Sequence, residues 1–125
     1  MPRMQASKVG TLLAHSGTML VVGQALLFYA FVGRARLALG YWPSPYHPDP
    51  KDLGFAIHHH AILLLGLPSA VVSPAVLCIG LYAAAKLGAS ARSRTLAVAT
   101  YAVAFVVGAG LLYADPGQFG EWFAD

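Results

Sequence analysis

Three stretches without a single Asp, Glu, Lys or Arg constrain this chain more than any other feature. They run from Val9 to Gly33, from Leu53 to Ala85 and from Thr95 to Ala114. Each reaches or exceeds the roughly 20 residues that cross a hydrocarbon core of about 30 Å as an α-helix. A segment in lipid must satisfy its own backbone, which leaves helices or closed barrels, and no barrel-like alternation is present. The expected fold is therefore all-α: an integral membrane protein with three transmembrane helices, over about 10–33, 55–85 and 94–114. Between them lie a Pro-rich external loop over 34–54 and a cytoplasmic turn over 86–93, with an external amphipathic tail over 115–125. The whole chain, 1–125, reads as one domain.

Charged residues make up 10% of the chain, against about 25% in soluble domains. A cleaved signal peptide is not expected. The first apolar run is about twice a signal h-region in length, and Arg34 and Arg36 follow it rather than a small-residue cleavage site. The net charge of +3 is too small and too scattered for nucleic-acid binding. In a membrane protein such charges set orientation instead. Arg3, Lys8, Lys86, Arg92 and Arg94 fall on one side, and Arg34, Arg36 and Lys51 on the other. That distribution predicts a cytoplasmic N-terminus and an external C-terminus in a cell membrane, and helices rich in alanine and glycine suit a bacterial inner membrane.

The first helix is expected to start near Ser7 or Gly10, with Phe28, Tyr29 and Phe31 at its outer end and an interfacial turn through Arg34, Ala35, Arg36 and Leu37. Prolines at 43, 45, 48 and 50 forbid helix in the loop that follows, and Tyr41, Trp42 and Tyr46 are expected to lay it against the membrane surface. Asp49 reads as an N-cap, with Pro50 in the first helical position and Asp52 in the first turn. Pro68 and Pro74 predict a kink or tilt in the second helix. Asp115-Pro116-Gly117 stops the third, and Phe119, Trp122 and Phe123 among Glu121 and Asp125 predict an amphipathic tail in the interface.

Small residues recur at helical spacing: Gly80, Ala84 and Gly88 in the second helix, Thr100, Ala104 and Gly108 in the third. Such stripes let helix backbones approach closely in lipid. They serve packing within the bundle, contact with another copy or membrane subunit, or both.

The sharpest chemical feature is His58-His59-His60. Consecutive helical residues are about 100° apart, so the three cannot all bind one metal. Together with His47 and Asp49 in the loop, one or two of them form a candidate zinc or copper site, or a haem ligand. Otherwise they close the loop over the bundle by hydrogen bonding, or sense pH. His15, beside Ser16, Gly17 and Thr18, belongs to the opposite leaflet, and Gln24 is a candidate for interhelical hydrogen bonding. Cys78, the only cysteine, reads as a buried structural thiol. No carboxylate lies inside a span, and GxSxG, HExxH, CxxC, CxxCH and P-loop motifs are absent. An enzyme acting alone is therefore not expected.

The three-helix topology and His15-Ser16-Gly17 resemble the membrane-anchor subunits of succinate dehydrogenase, which ligate haem through histidine near a quinone site. The arginine beside that family's first-helix histidine is absent here, and its second-helix histidine has only the triplet as a counterpart. The likeness covers three or four residues and the three-helix topology. The leading expectation is a non-enzymatic accessory or scaffolding subunit. The alternative is a metal- or haem-binding protein in electron transfer or metal handling, and a small channel ranks behind both.

Overall fold

The computed structural model describes residues 3–45 and 47–124, apart from the side chains of Arg3, Leu67 and Pro68. Tyr46, and its expected place against the membrane, lies outside the described residues. The chain is helical, without strands among those residues. Helix α1 spans Arg3–Ala14, α2 Ser16–Leu39, α3 Ala56–Lys86, α4 Ala91–Ala114 and α5 Phe119–Ala124, with a 3-10 helix at Pro50–Leu53. Three segments are long and apolar enough to cross a membrane: Ser16–Leu39, the Ser69–Lys86 part of α3, and Ala91–Ala114.

The first apolar run is not one unbroken helix. It is interrupted at His15, with φ −90° and ψ 2°. The Ser16 hydroxyl donates back to the Leu13 carbonyl at 2.8 Å, a bond that competes with the helix ladder and bends it. The bend brings the Leu13 carbonyl and the Ser16 hydroxyl against Gly80 of α3. One turn to either side, Gly10 meets the Ala84 carbonyl, and Gly17 meets the Ser73 carbonyl and Leu77. The α1–α2 axis and α3 therefore pack backbone to backbone, which only small residues permit.

Helix α2 also runs further than expected, through Arg34 and Arg36 to Leu39. Ala35 is fully buried in the core at that end, so tertiary packing extends the helix. Gly40 stops it in the left-handed region, with φ 78° and its N–H donating to the Arg36 carbonyl. The signals at Asp49, Pro50 and Asp52 start the short 3-10 helix rather than α3. The Asp49 carboxylate accepts from the Lys51 N–H at 2.8 Å, Gly54 ends the turn at φ 72°, and α3 begins two residues later. Despite its prolines, α3 is a single helix. Ser90 caps α4 by accepting from the Ser93 N–H.

Two small cores hold the bundle. At the turn end, Ala14, Ala84, Ala89 and Ala97 are buried together, and the Ser93 hydroxyl donates to Thr11. At the loop end, Phe31, Val32, Ala35, Ile62 and Trp122 form the larger core. Between them the helices are joined by isolated polar bonds. Ser73, fully buried, is 2.9 Å from the Tyr101 hydroxyl, and Gln24 donates to the Ile62 carbonyl.

Candidate functional site

The loop end gathers most of the chain's aromatic and histidine chemistry around Phe31. Its ring meets Phe55, His58, His59, Trp122 and Phe123, with centroids between 5.1 and 6.0 Å apart. Apart from Trp122, these pairs are edge-to-face, the arrangement favoured by aromatic quadrupoles. Arg34 lies over Phe55 at 3.9 Å from the ring centroid, and Arg36 over Trp42 at 5.6 Å. Arg34 and Arg36 thus lie against aromatic faces of their own chain.

The tail closes this end. Asp115, at φ 36°, accepts from the N–H groups of Gly120 at 2.8 Å and Glu121 at 3.0 Å, and so caps α5. Trp122 is fully buried, and its indole N–H donates to the Pro48 carbonyl at 2.7 Å. The buried Trp122 of the tail is therefore applied to the bundle and the proline loop. Replacing Asp115 by alanine removes both caps, at a cost of about 1 kcal/mol. The expected result is faster proteolysis between residues 115 and 120, with the three long helices unchanged by circular dichroism.

Each member of the predicted metal constellation has its own task. His58 Nε2–H donates to the Leu27 carbonyl at 2.9 Å, tying α3 to α2. His60 Nδ1–H donates to the Ala56 carbonyl one turn back at 2.6 Å and its side chain is exposed. His59 is buried and stacked on Phe123 at 4.5 Å, with its Nδ1 lacking a partner. Asp49 caps the 3-10 helix, and His47 pairs with Ser44 through backbone bonds. Among the described residues no three His, Cys, Asp or Glu side chains are placed to hold one ion. His15 lies near the other end, 3.3 Å from the Thr100 hydroxyl.

The packing stripes separate in the same way. Gly80 and Ala84 face α1, and Ala84 is fully buried. Gly108 sits 3.6 Å from Val21 of α2 when given a Cβ. With Ala104 it lines a shallow cleft of about 300 Å³ between α2 and α4. Thr100 is exposed. Gly88 lies beyond α3, at φ 79° with open space around it, so it serves the turn and not a helix interface. Cys78 is exposed on the bundle's flank, not buried within it.

Comparison with protein-family models, with curated proteins and with solved structures finds no match.

The function must therefore be argued from this geometry. Sequence reasoning missed Phe31 as the hub of the cap, Trp122 as its lock, and Gly10 and Gly17 as the opposing half of the Gly80 contact. The spacing of Gly10, Ala14 and Gly17 on one helical face was a usable signal for the last two. Nothing in the sequence distinguishes Phe31 from Phe28.

Proposed function

We propose that this chain crosses the membrane three times and acts as a non-enzymatic accessory or scaffolding subunit, packing against a second copy or a larger membrane complex. The observation that carries the reading is the surface of α4. Only 6% of its most apolar window is buried, and Val106 and Leu112 are 70% and 75% exposed. A helix that is apolar all round and so little covered by its own chain needs a non-aqueous neighbour. Lipid supplies most of that cover, and the α2–α4 cleft beside Ala104 and Gly108 offers a partner helix a close approach. The aromatic packing at the loop end supports the scaffolding role, since His58 there ties α3 to α2 through the Leu27 carbonyl and His59 stacks on Phe123.

The positive-inside rule supports a cytoplasmic N-terminus. Every acidic residue falls in the loop or the tail, and five of the eight basic residues lie at the opposite end.

Topology and membership of a complex are tested together. In a Cys78→Ala background, Ser44→Cys should react with an impermeant maleimide in intact cells, and Ser90→Cys only after permeabilisation. The chain should stay in the membrane pellet through alkaline carbonate and co-purify with a stoichiometric partner or as an oligomer in mild detergent. Release by carbonate would overturn the membrane reading, and a stable monomer without partners would overturn the scaffold. Near-stoichiometric zinc, copper or iron in the purified protein would favour the alternative, an electron-transfer or metal-handling role for the histidines.

A further inference from the structure

We propose that the α5 tail is a pH-sensitive latch, seated while the His59 ring is neutral and released when that ring takes up a proton. The latch goes beyond the scaffolding role and does not depend on which partner the chain meets.

The geometry of the seat carries it. His59 is only 7% exposed. Its ring lies flat on Phe123 of α5, with centroids 4.5 Å apart and 24° between the planes, and meets Phe31 edge-to-face at 6.0 Å. Its Nδ1 is buried with no hydrogen-bond partner. A neutral imidazole tolerates this, because it carries one N–H and can leave the other nitrogen as a bare acceptor. An imidazolium has a donor on both nitrogens, and its Nδ1–H would find no acceptor in this apolar site. The face of Phe123 attracts a cation, but a stacked ring offers nothing in the plane where Nδ1–H points. Burying an unpaired donor on a charged ring costs far more than leaving an acceptor unfilled. Moving Phe123 aside admits water to Nδ1, so protonation of His59 and release of the tail are linked.

The surroundings act in the same direction. Helices α2 and α5 face His59 with the rings of Phe31 and Phe123, and their charged side chains are engaged elsewhere among the described residues. Arg34 lies over Phe55, Arg36 lies over Trp42, and Glu121 accepts from the Gln118 amide. On α3, His58 is bonded to the Leu27 carbonyl, and the His60 ring centroid is 6.0 Å from that of His59. The 3-10 helix adds Lys51 and Asp49. His59 lies ahead of the Ser69–Lys86 span. Burial holds its imidazole below the ordinary value of 6.5, with His60 and Lys51 adding to that effect and Asp49 opposing it. The seated tail is therefore fully stabilised above about pH 6.5, and that stability is lost as the pH falls through the lowered value.

Release reaches beyond α5. Phe123 also packs on Phe28 and Phe31, and its neighbour Trp122 holds the Pro48 carbonyl. Losing the seat loosens the tail and, with it, the proline loop. On the orientation proposed above this end faces outside, so the latch answers the pH of the surroundings and not that of the cytoplasm.

The test uses the whole chain in mild detergent carrying Trp42→Phe, which leaves Trp122 as the only tryptophan and keeps a ring at position 42. Acrylamide quenching of Trp122 is followed from about pH 8 to about pH 5, either side of the ordinary histidine range. Circular dichroism checks that the long helices persist throughout. Each tenfold by which closing weakens the proton affinity of His59 favours the open tail by about tenfold at the acid end. Quenching should therefore rise at least about twofold, with its midpoint below about pH 6.5. His59→Phe keeps a stacked ring that cannot be protonated and should hold quenching low across the range. His59→Gln, neutral at every pH, should give a flat profile whatever its absolute level, so the slope stays readable even where the seat is weakened. His47→Gln and His60→Gln, both at exposed positions, should keep the rise. A flat profile in the chain with His59 intact, or a rise that survives both His59 variants, would overturn the latch.

Discussion

Phe31→Ala is expected to destabilise the protein by about 3–5 kcal/mol, the usual cost of emptying a large buried aromatic site. Phe31 is fully buried, and its ring touches Phe55 just ahead of α3, His58 and His59 in α3, and Trp122 and Phe123 in α5. Its removal opens a cavity at the junction of the elements that form the cap. The loop is tied to this junction through the Trp122 bond to Pro48, so loop and tail should loosen together. Thermal unfolding in detergent should show the lowered Tm. Limited proteolysis should show early cuts in both 40–55 and 115–120. Val106→Ala, on the exposed flank of α4, should change neither. If Phe31→Ala leaves the tail as protected as in the unaltered chain, the cap is not held by this hub.

Gly80→Val should be comparably damaging for the opposite reason. A Cβ at position 80 would fall on the Leu13 carbonyl, and 2.7 Å from the Ser16 hydroxyl. A backbone carbonyl cannot swing aside as a flexible side chain can, so α1 and α3 must separate or α1 must straighten. Overpacking of this kind costs about 1–3 kcal/mol, and valine exceeds the single methyl already excluded. The Ser16 bond to Leu13 and the backbone contacts at Gly10 and Gly17 belong to the same seam and should weaken with it. Gly23→Val is the control, since a Cβ there meets nothing within 4 Å. Cysteine pairs engineered across α1 and α3 would read the separation directly as a lost crosslink. A chain that tolerates Gly80→Val as well as Gly23→Val would show that the two backbones do not touch in the membrane.

These two sites show how unevenly the sequence reveals its structure. Gly80 and Ala84 were visible as a small-residue stripe, and the structure places both against the first helix. The stripe in α4 is less used within the chain, with Gly108 in loose contact with Val21 and Thr100 exposed. The histidine triplet was visible as chemistry, but its three members have three separate environments. One is bonded across to α2, one is stacked under the tail, and one is bonded to its own helix. Helical rotation already implied that divergence. What each ring would meet depended on Phe31 and Phe123, which are far from the triplet in sequence.

Charge and hydropathy along the chain determine the helical class and the three long apolar segments by themselves, because the spacing of charges along one helix is a local property. Proline, glycine and aspartate likewise mark the turns at Gly40, at Asp49 to Gly54 and at Asp115. Local signals could not decide how far each helix runs or which surface the tail covers. The break at His15 arises where Ser16 and Gly80 meet, and α2 continues to Leu39 because Ala35 is buried. The tail turns inward because Trp122 finds both an apolar pocket and the Pro48 carbonyl. Each of these outcomes is set by contacts between segments distant in the chain, which take effect only once the helices have packed.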